Sequence, residues 1–252
     1  MTAVKPQSKP GVWYRIVRGI LRPPLVILTK RDWRGGEHLQ QPGGAILAMN
    51  HLSWFDPLVA AHFCNDNGRP TRFLAKAELF KVPVLGKILK SAGQIPVHRG
   101  TADAASSLYS AIEAVNNGEC VVIYPEGTLT RDPNLWPMVA KSGVARIALT
   151  TGAPVIPAAQ WGPQHVLAPY GSKLPKLLPR KTMQVWAGPA VNLDDLRDQP
   201  INAEILRSAT TRIMTAITEL LAEIRGEQPP ATPFDRRVTL TQDDKQPKGD
   251  AS

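Results

Sequence analysis

His51 and Asp56 stand five positions apart in the run Asn50-His51-Leu52-Ser53-Trp54-Phe55-Asp56, a spacing that suits acid–base chemistry. An aspartate folded back across a turn can hold one imidazole nitrogen and leave the other facing a crevice. With an ordinary pKa of ~6.5, imidazole accepts a hydroxyl proton near neutral pH, a contribution of about 10²- to 10⁴-fold. The activated hydroxyl can then attack a thioester directly. A local reading competes: Ser53 can cap a helix with Asp56 at its third position, leaving His51 an ordinary turn histidine.

A second polar run, Pro125-Glu126-Gly127-Thr128-Leu129-Thr130-Arg131, gathers a carboxylate, a permissive glycine, hydroxyls and a guanidinium. Arginine binds phosphate bidentately and glycine lets a backbone approach closely, so Arg131 is a candidate phosphate ligand. Glu126 is placed to orient a substrate hydroxyl or that arginine, although a surface loop with a local ion pair has the same composition. Arg99, in Gly93-Gln94-Ile95-Pro96-Val97-His98-Arg99, and Lys76, after Phe73-Leu74-Ala75, are further candidate cations. The turn Ala153-Pro154-Val155-Ile156-Pro157 carries nothing titratable and is expected to shape the site.

Short apolar runs must position these turns. Strands are expected at Ala45–Met49, Arg72–Ala75, Gln94–Val97, Cys120–Tyr124, Val155–Ala159 and Met183–Ala187, with helices at Pro57–Cys64, Ala102–Asn117 and Val139–Thr151 between them. Gly118 and Gly152 sit where C-terminal caps belong. Ile213, Ile217, Leu220 and Ile224 keep helical spacing within a late helix at Ile201–Arg225. The alternation implies an α/β fold, a mainly parallel sheet flanked by helices, and such sheets hold their ligands at the carboxyl ends of the strands.

Near the N-terminus, Trp13, Ile16, Val17, Ile20 and Leu21 follow the amphipathic rule, with Arg15, Arg18 and Arg22 largely on the other side. Pro23 and Pro24 are expected to break that helix, with Leu25–Leu28 a second apolar patch and Lys30 and Arg31 closing the segment. It reads as a segment lying in a membrane interface or as a helix covering the core with its arginines in water. Residues 1–34 are therefore expected to associate with a membrane, 35–225 to form the catalytic domain, and the polar stretch 226–252 to be disordered. The net charge of +9 calls for an anionic partner without choosing one. Cys64 and Cys120 show no disulfide or metal-ligand spacing, which suits a reducing compartment. No run approaches the ~20 apolar residues of a spanning helix.

Four runs together resemble the glycerolipid acyltransferases, and among them the bacterial 1-acylglycerol-3-phosphate acyltransferases, which share an NHxSxxD box, a GxIPVxR box, a PEGT box and a VIP-type box in this order. The likeness runs from about Ala45 to Pro157. It implies direct acyl transfer from acyl-CoA or acyl carrier protein to lysophosphatidic acid, with His51 as base, Asp56 orienting it, and no acyl-enzyme intermediate. It also implies that Arg99 and Glu126-Gly127-Thr128 recognise the glycerol phosphate, with neither cofactor nor metal. Many relatives place arginine directly after the EGT triplet, whereas this chain has Leu129 there and its arginine two positions later. A glycolipid or other lipid hydroxyl as acceptor fits that departure, as does a guanidinium reaching the same spot from a neighbouring position.

The implied setting is the cytoplasmic face of the cell membrane, held peripherally on anionic lipid, with no nucleic acid as partner. Lys173, Lys176, Arg180 and Lys181 extend the basic surface toward lipid or an acidic carrier protein, or form a solvated loop. A non-catalytic membrane or nucleic-acid binder would share the charge and the helix but not need the paired boxes. A hydrolase using His51 and Asp56 on water is weakened by the absence of a GxSxG elbow and a metal cluster, and no GxxxxGK phosphate loop is present.

Overall fold

The computed structural model describes residues 12–97, 104–170 and 174–235. It opens with α1 (Val12–Leu28) and β1 (Thr29–Arg34), then β2 (Ala45–Met49) and α2 (Asp56–Asp66). Next come β3 (Thr71–Lys76), α3 (Leu85–Ser91), β4 (Ile95–Val97), α4 (Ala104–Asn116), β5 (Cys120–Ile123) and α5 (Gly143–Thr151). The order closes with β6 (Val155–Trp161), α6 (Pro163–Val166), β7 (Lys181–Ala187), α7 (Asp194–Arg197) and α8 (Ala203–Arg225).

The strands form one sheet in the order β1-β7-β6-β2-β5-β3-β4. β6, β2, β5, β3 and β4 run parallel, and β7 is antiparallel to β6 and parallel to β1. β2 and β5 are apolar at every position because both faces of the sheet are covered. Strand alternation divides them: Ile46, Ala48, Val121 and Ile123 pack with α4, α5 and α8, while Leu47, Met49, Cys120 and Val122 pack with α2. Asn202 caps α8 by accepting from the Glu204 and Ile205 amides at 2.9 and 3.0 Å, and Gly226 ends it in the left-handed region.

Four local expectations are corrected. α1 continues through Pro23 and Pro24, which leave the carbonyls of Gly19 and Ile20 without their helical donors on a stretch whose residues are exposed. Thr29–Arg34, read as the end of the N-terminal segment, is instead an edge strand on β7; its charged residues hide the pattern and suit an edge. α5 begins at Gly143 rather than Val139; the segment before it is tied to its neighbours, with the amides of Met138, Val139 and Lys141 donating to Glu126, Phe234 and Pro125. The Val139 bond to the Phe234 carbonyl, at 3.0 Å, also places part of the stretch read as a disordered tail against the domain.

α1 does not cover the core with its apolar side: Val12, Ile16, Ile20 and Ile27 are exposed. Arg22 and Arg31 meet Asp66 of α2 at 3.1 and 3.0 Å, pinning α1 and β1 to the domain. No helix among the described residues is long and apolar enough to cross a membrane.

Candidate active site

Because β2, β5, β3 and β4 are parallel and adjacent, the turns after them gather at one edge of the sheet. His51 follows β2, Glu126 follows β5, and Lys76 ends β3. Arg99 lies two positions beyond β4, outside the described residues, as does Lys173.

His51 Nδ1 lies 2.8 Å from Asp56 Oδ2. The same oxygen accepts the Leu52 amide at 2.6 Å and the Ser53 amide at 2.8 Å. Asp56 is fully buried at the start of α2, and burial pushes its carboxyl above the usual range, opposed by His51 and the two amides. The reciprocal bonds of the capping alternative do form, since Asp56 takes the Ser53 amide while Ser53 accepts the Phe55 amide at 3.0 Å and donates to the Leu167 carbonyl at 2.5 Å, but α2 starts only at Asp56 and the same carboxylate also holds His51, which is therefore no ordinary turn histidine. Both side chains of the turn therefore stabilise a bend that turns the imidazole onto the carboxylate.

The ring of His51 stacks on Tyr124, with centroids 4.1 Å apart and planes 14° from parallel. Trp54 meets His51 edge-on at 6.4 Å, and the Lys76 ammonium sits 5.5 Å from the Trp54 ring centre. The structure thus brings Lys76 to the histidine turn through an exposed aromatic side chain that sequence reading left without a role.

Glu126 faces inward rather than toward a substrate hydroxyl or Arg131. Its Oε1 accepts the His51 amide at 3.0 Å and its Oε2 the Met138 amide at 2.9 Å. Burial raises the carboxyl to about 8, with Asp56 and Asp132 adding in the same direction and the two amides opposing. The Thr130 amide donates to the His51 carbonyl at 2.8 Å, so the two turns are tied through both backbone polar groups of His51.

Gly127 has a φ of 71°, which favours glycine, and a Cβ there would lie 3.4 Å from the Lys141 side chain. An ammonium that sequence reading missed therefore stands beside the turn; it is distant in sequence and carries no local motif. Thr128 is half-buried, and Leu129 is buried with its carbonyl accepting the Tyr170 hydroxyl at 2.9 Å. Arg131 is exposed and its guanidinium lies over the Tyr170 ring, 5.3 Å from the centroid. The guanidinium of Arg131 is thus held at Tyr170, whose hydroxyl donates to the Leu129 carbonyl.

The other omission is a buried latch between β2 and β6. Asn50 Nδ2 donates to the Gln160 carbonyl at 3.1 Å, Asn50 Oδ1 accepts the Gln160 amide at 2.8 Å, and Gln160 Nε2 donates to the Asn50 carbonyl at 2.9 Å. Asn50 directly precedes His51, so the latch sets where the strand ends. Asn50→Ala removes two of these bonds and orphans buried backbone groups, an expected loss of about 2–4 kcal/mol. Thermal unfolding measures it; an unchanged Tm would refute the latch.

The family model described as "Acyltransferase" matches residues 30–161, more than half of the chain. The 1-acyl-sn-glycerol-3-phosphate acyltransferase of Bacillus subtilis is 28% identical over 184 residues, 73% of this chain and 84% of that protein. The lyso-ornithine lipid O-acyltransferase of Pseudomonas aeruginosa is 34% identical over 101 residues, 40% of this chain and 36% of that protein. The chain spans less than half the length of several curated relatives it matches, including those from Brassica napus and Borreliella burgdorferi. The crystal structure of the 1-acyl-sn-glycerophosphate acyltransferase PlsC from Thermotoga maritima shares the fold, with a TM-score of 0.67 and 21% identity over 86% of this chain and 81% of that one. The family match takes in the sheet from β1 through β6 and both polar turns, and the chain belongs to the acyltransferase family.

Proposed function

We propose that this protein transfers a fatty acyl group from a thioester, carried on coenzyme A or acyl carrier protein, to the sn-2 hydroxyl of 1-acylglycerol-3-phosphate, giving phosphatidic acid. The observation that carries the reading is the 2.8 Å contact between His51 Nδ1 and Asp56 Oδ2. With Nδ1–H donated to the carboxylate, Nε2 holds the lone pair and accepts the proton of the acceptor hydroxyl. The hydroxyl oxygen attacks the thioester carbonyl, the C–S bond of the tetrahedral intermediate breaks, and His51 returns its proton to the leaving thiolate. Asp56 orients the imidazole and stabilises its charged form. The ester forms in one transfer, so no residue of the chain carries the acyl group.

Lys76 and Lys141 supply positive charge beside the two turns, and Arg99 and Thr128 join them in recognising the phosphate or glycerol of the acceptor. Glu126 and Gly127 shape the turn on which those groups sit. The protein works peripherally on the cytoplasmic face of the membrane, with α1 in the anionic interface.

A second acceptor class keeps the same chemistry. Leu129 is buried where many relatives carry arginine, Arg131 rests on Tyr170, and one similar protein is named for a lyso-ornithine lipid. An assay of thiol release with palmitoyl-CoA and palmitoyl carrier protein against a panel of lysolipids decides between them. Phosphatidic acid as the preferred product supports the first reading, acylation of another lysolipid alone supports the second, and thiol release without any acceptor refutes both.

A further inference from the structure

Between β3 and α3 the chain makes a tight corner. The amides of Val82, Leu85, Gly86 and Ile88 donate to the carbonyls of Leu79, Pro83, Val82 and Val84. Gly86 lets this corner close: a Cβ there would stand 2.1 Å from the Phe80 carbonyl oxygen. At its tip, Val84 has a φ of 65°, an outlier for a β-branched residue, and its side chain is 69% exposed.

Leu79, Val82, Leu85 and Ile88 are exposed with it, so within ten residues the corner offers water five large apolar side chains. Lys81, Lys87 and Lys90 alternate with or follow them in sequence and are also exposed, against one exposed carboxylate, Glu78. α3 packs against α1, whose exposed Ile16 and Ile20 and whose Arg15 and Arg18 repeat the same pairing of apolar and cationic side chains. A soluble surface has no reason to hold a valine in a strained backbone in order to expose it.

We propose that the corner Leu79–Ile88 is a second membrane-docking element, which enters the interface of an anionic lipid surface beside α1. Its apolar tip takes the place of lipid headgroup contacts while the three lysines meet lipid phosphates. The corner follows β3 directly after Lys76, so docking there presents the edge of the sheet that carries His51 to the bilayer. A single amphipathic helix fixes depth but leaves the domain free to roll about the helix axis; a second point of contact removes that freedom. The inference rests on the membrane setting proposed for the enzyme.

The test is sedimentation of the full chain with vesicles of phosphatidylcholine alone and of phosphatidylcholine with phosphatidylglycerol, alongside turnover of a short-chain acceptor dissolved as monomers. Val84→Asp with Leu85→Asp is expected to lower partitioning onto the anionic vesicles by about tenfold or more and to leave turnover of the dissolved acceptor unchanged. Val84→Trp, a variant that stays apolar, is expected to strengthen partitioning. Unchanged partitioning in both variants overturns the proposal, as does a wild type that turns over acceptor but ignores anionic vesicles. Absence of acyl transfer by the wild type counts against the proposed function instead, while the ratio between variant and wild-type partitioning still decides the corner's role.

Discussion

His51→Ala is expected to lower acceptor-dependent thiol release by about 10²- to 10⁴-fold, the range of a lost general base. The imidazole is held between Asp56 and the Tyr124 ring and donates no bond that closes the core, so Tm should stay near that of the wild type. Single-turnover measurements at saturating acceptor place the loss in the chemical step rather than in binding. Asp56→Asn should also reduce turnover, for a different reason. One Asp56 oxygen serves His51, Leu52 and Ser53, while Oδ1 is buried without a hydrogen-bond partner among the described residues. An amide that keeps the three bonds must put its NH₂ into that unpartnered position, at an expected stability cost of about 1–3 kcal/mol. His51→Ala with wild-type turnover would remove the proposed mechanism altogether.

Glu126→Ala is the second large expected effect: a loss of about 2–5 kcal/mol in stability, since the amides of His51 and Met138 both lose a buried acceptor. Turnover should fall with it, because the backbone of His51 is no longer anchored from β5, while KM for the acceptor should change little if Glu126 touches no substrate. Glu126→Gln retains one acceptor oxygen and should recover part of both losses. A large rise in KM with an unchanged Tm would mean that the carboxylate reaches the acceptor after all.

Glu126 also predicts a pH dependence. Its carboxyl rises from an ordinary 4.5 to about 8 in the fold, so the folded chain keeps a proton that the unfolded chain releases. Its contribution to stability is fully present below about pH 4.5 and is lost progressively as pH rises toward 8. Glu126→Gln should flatten the stability profile across that window, as measured by denaturant unfolding at fixed ionic strength. An identical slope in wild type and variant would assign the proton elsewhere.

The histidine and aspartate were legible because five positions across one turn make a local arrangement, and the strands before them were legible because runs buried on both faces are apolar at every position. β1 was not, since an edge strand with Lys30, Arg31 and Asp32 carries a surface composition and finds its pairing only through β7, about 150 residues away. The start of α5 was misplaced because Val139–Ser142 has helical composition, whereas in the fold the Val139 and Lys141 amides bond to Phe234 and Pro125, partners that no local pattern names.

The sequence by itself determined the alternating architecture, the family likeness, and the types of side chain available for acid–base work and anion recognition, because each of these depends on local spacing. Tertiary structure alone decided what those side chains do. Glu126 turned from a substrate contact into a buried brace because the parallel register of β2 and β5 sets it behind the His51 amide. Lys141 joined the site, and Arg131 settled on Tyr170, through contacts between segments that no short motif connects. Hydrogen bonding and burial act through space, and distance along the chain does not disclose which polar groups will meet once a sheet brings its strand ends together.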